Sequence, residues 1–219
     1  MRVEEIRRMR QCEDAYWWFV GRRYVLASWL RGLRHRLPER PRILDIGCGT
    51  GGNALLLQEL GEVTGVDAEP AALEFCRERG LRDLVLCPAQ ALDLPDESYD
   101  LATSFEVFEH IEDHDRATAE AYRVLRPGGR LFLTVPAYPW LWSEHDEALS
   151  HCRRYTRDQV VSLLRGAGFQ VERVTYCVCL LLPLTVLFRA GQRVVRLLRR
   201  APRPSPRSGL VMVPRPISA

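Results

Sequence analysis

Apolar and charged residues alternate at helical spacing from about Glu4 to Leu37, which predicts helix over most of that stretch. Pro38-Glu39-Arg40-Pro41 interrupts the pattern and reads as a linker. Beyond it, short apolar runs recur, each followed by a turn and a helical pattern. Ile43, Leu44 and Ile46 mark a first buried strand from Arg42 to Ile46; the cluster Gly47, Gly49, Gly51 and Gly52 stops it, and Ala54-Leu55-Leu56-Leu57 with Leu60 resumes as a helix. A second strand is expected from Glu62 to Val66, ending in Asp67, then a helix from Ala71 to Arg79, and a third strand from Leu84 to Cys87. Tyr99 to Phe105 reads as a fourth strand. Ala117 to Leu125 reads as a helix closed by Arg126-Pro127-Gly128-Gly129, and Arg130 to Pro136 as a fifth strand. Thr156 to Ala167 predicts a capped helix, Phe169 to Tyr176 a sixth strand, and Leu210 to Val213 a last one. Strands alternating with helices in this way argue for an α/β sheet covered on both faces.

Two stretches do not fit a plain alternation. Ala137 to Tyr155 is rich in Trp, His and Arg and is long for a connection, which favours a functional role. Cys177 to Phe188 is strongly apolar but shorter than the roughly 20 residues a membrane span needs. Continued to residue 200, it places Leu184, Leu187, Phe188, Gly191, Val194, Val195 and Leu198 on one helical face, with Arg189, Arg193, Arg196, Arg199 and Arg200 on the rest. Such a helix packs on the sheet, meets a second subunit, or lies on a membrane surface. Four successive aromatics, Tyr16 to Phe19, cannot all face one core. They cover the sheet and its edge, or form a lid over a ligand.

At 219 residues the chain is one domain with appendages. All 31 basic residues are arginine, and the net charge of +3 is too small to argue for a nucleic-acid partner. The seven cysteines contain no C-x-x-C pair, and Cys177-x-Cys179 is too tight for a usual zinc pair. Reduced thiols in a cytoplasmic protein are expected, as is the absence of a signal peptide from the charged Met1-Arg2-Val3-Glu4-Glu5.

The strand, glycine turn and helix start at Arg42 to Gly52 would present bare backbone N–H groups to a ligand. Gly47-x-Gly49-x-x-Gly52, with Asp67 further on, fits a dinucleotide fingerprint. Asp45 argues otherwise, because a carboxylate beside a pyrophosphate is repelled, whereas a cationic ligand would be attracted. The overlapping pattern Asp45-x-Gly47-x-Gly49-x-Gly51 resembles motif I of the class I S-adenosylmethionine-dependent methyltransferases. Leu94-Pro95 ahead of Tyr99-Asp100, and the Pro127-Gly128-Gly129 turn before an apolar strand, are similar to the same family. A Trp17-Trp18-Phe19-x-x-Arg22-Arg23 run is similar to one found ahead of the core in some bacterial members.

That resemblance implies a doubly wound, Rossmann-like sheet of seven strands with an antiparallel last strand. It implies a helical lid over 1–37, a methyltransferase core over 38–176, a helical insertion and linker over 177–208, and the last strand and tail over 209–219. S-adenosylmethionine would be held by Asp45, Gly47, Cys48, Gly49, Gly51, Asp67 and Ala68, then by Ala89 and Gln90, and by Ser104, Phe105 and Glu106 after the fourth strand. Arg22 or Arg23 would pair with its carboxylate. Pro88 stands where the family has an adenine-binding Asp, so Gln90 or a backbone carbonyl takes that role, or adenine is held more by packing. Ser104-Phe105-Glu106 is unlike the Pro-Pro-aromatic signature of enzymes that methylate nucleic-acid bases. A small-molecule or lipid-linked acceptor, methylated at oxygen, is therefore expected. His110 is the candidate base, with His145 and His151 behind it and Asp146 and Tyr155 nearby. Glu106-x-x-Glu109-His110 also resembles a metal triad of some quinone and RNA methyltransferases, although no metal site is assigned. A cofactor-binding protein without catalysis and a nicotinamide oxidoreductase are the other classes; Asp45 and the Pro-Gly-Gly strand weigh against the second.

Overall fold

The structure, a computed structural model, describes residues 3–177, 179–187 and 191. The apolar runs form strands β1 (Arg42–Ile46), β2 (Glu62–Asp67), β3 (Leu84–Leu86), β4 (Tyr99–Phe105) and β5 (Leu125–Thr134). All pair in parallel, in the order β3-β2-β1-β4-β5. The chain runs outward from β1 to β3, then returns to the other side of β1, so the strand order reverses between β1 and β4. In doubly wound sheets ligands bind in the crevice at the carboxyl ends of the strands flanking such a reversal.

Helices α1 (Val3–Cys12), α2 (Trp17–Leu33), α3 (Gly52–Gln58), α4 (Pro70–Glu78), α5 (His114–Val124), α6 (Glu144–Ala148) and α7 (Arg157–Gly166) surround the sheet. On one face Leu26 and Leu30 of α2, one helical turn apart, pack in a buried cluster with Ile43, Leu57, Leu73, Leu101 and Phe105. On the other, Ala117, Ala121 and Val124 of α5 join Leu44, Ile46, Ala102 and Phe108. The chain begins α5 earlier than the apolar pattern suggests, because Asp113 caps it by accepting from the Arg116 N–H at 3.0 Å.

Pro127-Gly128-Gly129 is not a turn before β5 but a bulge within it. Tyr99 pairs with Leu125, yet Leu101 pairs with Arg130, so residues 126–129 are extruded between them. Gly128 has φ +81°, and a Cβ on Gly129 would lie 2.8 Å from the Arg126 carbonyl, so the extruded loop requires both glycines.

The sheet has five strands among the described residues, not seven. Residues 169–176 form no strand. Side chains rather than a backbone ladder dock that segment beside β5: Arg130 Nη1 meets Glu172 Oε1 at 2.6 Å, and the Arg173 guanidinium lies 4.2 Å over the Trp29 ring. The expected antiparallel last strand at Leu210 to Val213 lies outside the described residues. Of the expected 177–200 helix, residues 179–187 are described: a single turn at Cys179–Leu181, then helix over 182–187. Leu180, Leu184 and Leu187 on it are exposed. Among the described residues no helix is long and apolar enough to cross a membrane, and all seven cysteines are free.

Candidate active site

The turn after β1 is shaped by three left-handed residues, Gly47, Gly49 and Gly51, at φ +72°, +55° and +83°. A Cβ on Gly47 would lie 2.5 Å from Val107 Cγ2, so the turn approaches the segment after β4 more closely than any side chain permits. Asp67, at the end of β2, holds the turn from the side. Its Oδ2 accepts from the Gly49 N–H and its Oδ1 from the Glu69 N–H, both at 2.9 Å. Burial pushes the Asp67 carboxyl up, and these two donors pull it back. Asp45 is buried in β1. Its Oδ1 accepts from the Thr103 hydroxyl at 2.8 Å, while Oδ2 is buried with no partner among the described residues. Burial pushes its pKa up to about 7, against the Thr103 hydrogen bond, and the charge of Asp67 adds to the rise. A buried carboxyl with a vacant oxygen favours a cationic ligand, which would draw it back to its ionised form.

Cys48 is buried beneath the turn, 3.7 Å from Cys76 across the two sulfurs. Ala68 is exposed at the mouth after β2, and Ala89 and Gln90 form a turn after β3. These residues line the same end of the sheet as Asp67.

The N-terminal helices close on this turn through contacts that sequence reading missed. Met9 of α1 lies against Gly49, 3.4 Å from where a Cβ would stand. Glu13 is buried; it accepts from the Thr50 hydroxyl at 2.5 Å and from Arg79 Nη2 at 2.7 Å. Arg79 also reaches Asp14, and Arg23 donates to the Glu13 carbonyl at 2.6 Å. A Cβ on Gly52 would stand 2.5 Å from Glu13 Oε2, which explains the fourth glycine as packing against this acid. Nothing in the local pattern distinguishes Glu13 from the surface acids around it.

Beyond β4 the backbone turns sharply. The Ser104 hydroxyl is buried without a partner among the described residues, and Phe105 packs edge-on to Phe132 with ring centroids 5.5 Å apart. Glu106 adopts a left-handed φ of +59°, a costly conformation for a residue with a Cβ. Its carboxylate turns toward Arg22, at 3.9 Å. Arg22 therefore stands at the site beside Glu106, with its Nε buried and unpartnered among the described residues.

Phe108–His110 form a single turn that carries the remaining chemistry. Glu109 is completely buried, and burial, with the nearby Glu106 charge, holds its carboxyl well above the usual range. Burial and the neighbouring His151 push the His110 pKa down to about 4, so the ring is neutral at neutral pH. The rings of His110 and His151 meet edge to face, centroids 4.7 Å apart. Segment 137–155 brings His151 here. Its Cys152 N–H donates to the Glu109 carbonyl at 2.6 Å, and the Tyr155 hydroxyl donates to the Phe108 carbonyl at 3.1 Å. Asp146 is fully buried and faces His151 Nδ1 at 3.0 Å, Arg154 Nε at 2.7 Å and the Ser143 N–H at 2.8 Å. Burial alone would raise its pKa, but these donors hold it below the ordinary carboxylate range. His145 stands farther back, its ring 6.4 Å from that of His151. The structure thus groups His110 with Glu109 and His151; Glu106 of the Glu-x-x-Glu-His run points away to Arg22.

Residues 44–133 match a family model described as a methyltransferase domain. A protein of Mycolicibacterium smegmatis named "Probable S-adenosylmethionine-dependent methyltransferase" is 34% identical over 164 residues, 73% of this chain and 62% of that one. A malonyl-[acyl-carrier protein] O-methyltransferase of Methylococcus capsulatus is 37% identical over 167 residues, 69% of this chain and 60% of that one. This chain therefore spans about three-fifths of the length of these relatives. A Thermotoga maritima structure described as a methyltransferase, "possible histamine N-methyltransferase", superposes with a TM-score of 0.60 at 27% identity, covering 75% of this chain and 81% of that one.

Proposed function

Over residues 44–133 this chain belongs to the class I S-adenosylmethionine-dependent methyltransferases, and on that premise we propose that it transfers a methyl group to an oxygen of a small or lipid-linked acceptor. The observation that carries the cofactor end is Asp45, a buried carboxyl with one oxygen unpartnered, beside three left-handed glycines. A ligand with an ammonium and a sulfonium but no phosphate suits that charge. Asp67 keeps lone pairs free for the ribose hydroxyls, since each carboxylate oxygen accepts more than one hydrogen bond. Arg22, beside Glu106, is the group for the cofactor's carboxylate. The clamped helices α1 and α2 act as the lid that keeps the site dry.

At the acceptor end the histidine pair activates the hydroxyl. The acceptor O–H loses its proton there; its oxygen attacks the methyl carbon in line; the carbon–sulfur bond breaks, and its electron pair returns to sulfur, leaving S-adenosylhomocysteine. Oxygen as the acceptor atom is supported by the O-methyltransferase relative. A lipid-linked acceptor is supported by the exposed Leu180, Leu184 and Leu187, with arginines following in the sequence. Arginine stems lie along an apolar surface while their heads meet anionic headgroups, each worth on the order of 1 kcal/mol and screened by salt.

The protein is accordingly expected to co-sediment with anionic but not neutral vesicles, and to lose that binding at high salt. With methyl-labelled S-adenosylmethionine and a cell extract, label is expected in the lipid-soluble fraction, on oxygen. Absence of vesicle binding at any salt, with label in polar metabolites, would return the acceptor to soluble compounds.

A further inference from the structure

We propose that Glu109, His110 and His151 bind one divalent cation of the zinc type. Glu109 is completely buried, and neither of its carboxylate oxygens has a hydrogen-bond partner among the described residues. A carboxyl with both oxygens unanswered is among the costliest groups to bury, and such groups in folded proteins are otherwise paired or hold a metal. His110 Nδ1 is also buried and unpartnered among the described residues. One donor atom from each of Glu109, His110 and His151 lies within 4.8 Å of the other two.

The third ligand is already oriented. His151 Nδ1 faces the Asp146 carboxylate at 3.0 Å, which puts the proton on Nδ1 and leaves the Nε2 lone pair for a cation. Asp146 is fixed in turn by Arg154 and Ser143. It is a positioning residue and does not itself reach the cation. Glu106 stays outside the set, with its carboxylate on Arg22.

Two imidazole nitrogens and one carboxylate suit zinc or cobalt; magnesium and calcium prefer all-oxygen shells. Bonds of about 2.0–2.1 Å set an edge of roughly 3.3 Å between tetrahedral ligands. The side chains must therefore draw together on binding, with no hydrogen bond of the Glu109 carboxylate to break. Three protein ligands leave a fourth position open. On the methyl-transfer reading given above, a cation held there would activate the acceptor hydroxyl by lowering its pKa, in place of direct proton abstraction by the histidine pair.

The test is a titration of the full chain, first stripped with a chelator, with Co²⁺ and then Zn²⁺ and no S-adenosylmethionine. One equivalent of Co²⁺ is expected, with visible bands of a four- or five-coordinate ion and no near-ultraviolet thiolate band. Affinity should fall by at least about tenfold in Glu109→Gln and His151→Ala, and by about tenfold in Asp146→Asn. Circular dichroism reports whether each variant folds; where one does not, the wild-type cobalt spectrum decides alone. Absence of saturable binding, a thiolate band, or unchanged affinity in the folded variants would overturn the proposal. A parallel titration with S-adenosylhomocysteine separates the two readings. Cofactor binding without metal binding overturns the cation site alone, and metal binding without cofactor binding overturns the methyltransferase reading.

Discussion

His110→Ala is expected to lower turnover by roughly 10²-fold or more, with affinity for S-adenosylhomocysteine changed little. The ring stands after β4, half-buried and edge-on to His151, while the residues proposed to hold the cofactor lie on the β1 turn and the end of β2. Removing it deletes the group proposed to meet the acceptor hydroxyl and leaves the glycine turn in place. Because burial and His151 push its pKa to about 4, the ring is neutral above that pH. The ring is therefore in the unprotonated form that proton abstraction requires, although the same shift makes it a weaker base than an exposed imidazole. Single-turnover rates with a saturating acceptor measure the effect. A loss confined to cofactor affinity would move His110 to the other end of the site.

Asp67→Ala should weaken S-adenosylhomocysteine binding by about 1–3 kcal/mol, which is roughly 5- to 150-fold. Two losses combine. The carboxylate no longer accepts from the ribose hydroxyls, and the Gly49 and Glu69 N–H groups lose the acceptor that shapes the turn. Asp67→Asn keeps one amide oxygen as acceptor and should fall between alanine and wild type. Calorimetry on folded variants measures both, with thermal melts to show that stability is retained. Equal affinity in all three proteins would remove Asp67 from the site.

The five core strands could be read because buried parallel strands are short apolar runs bounded by glycine and acidic turns. The sixth could not be read correctly. Alternation in Phe169 to Tyr176 reports which side chains face inward, but a strand also needs a backbone ladder, and side-chain pairs such as Arg130–Glu172 dock this segment instead. The glycine turn and its carboxylates were legible because they sit within a few residues of the strands that carry them. The histidine cluster after β4 was legible only in its types of residue. His110 and His151 meet because Cys152 and Tyr155 bind the backbone of the turn after β4, and Asp146 orients His151 from within a capped helix. Those are contacts between distant segments, and no local spacing encodes them. Glu13 was missed for the same reason, since its partners Thr50 and Arg79 lie beyond any periodic window.

S-adenosylmethionine is proposed to bind in the turn after β1. Calorimetric titration of the purified chain with S-adenosylhomocysteine and, separately, with NAD tests it most directly. A dissociation constant in the micromolar range is expected for S-adenosylhomocysteine, with no comparable heat from NAD. Tight NAD binding with no S-adenosylhomocysteine binding would contradict it.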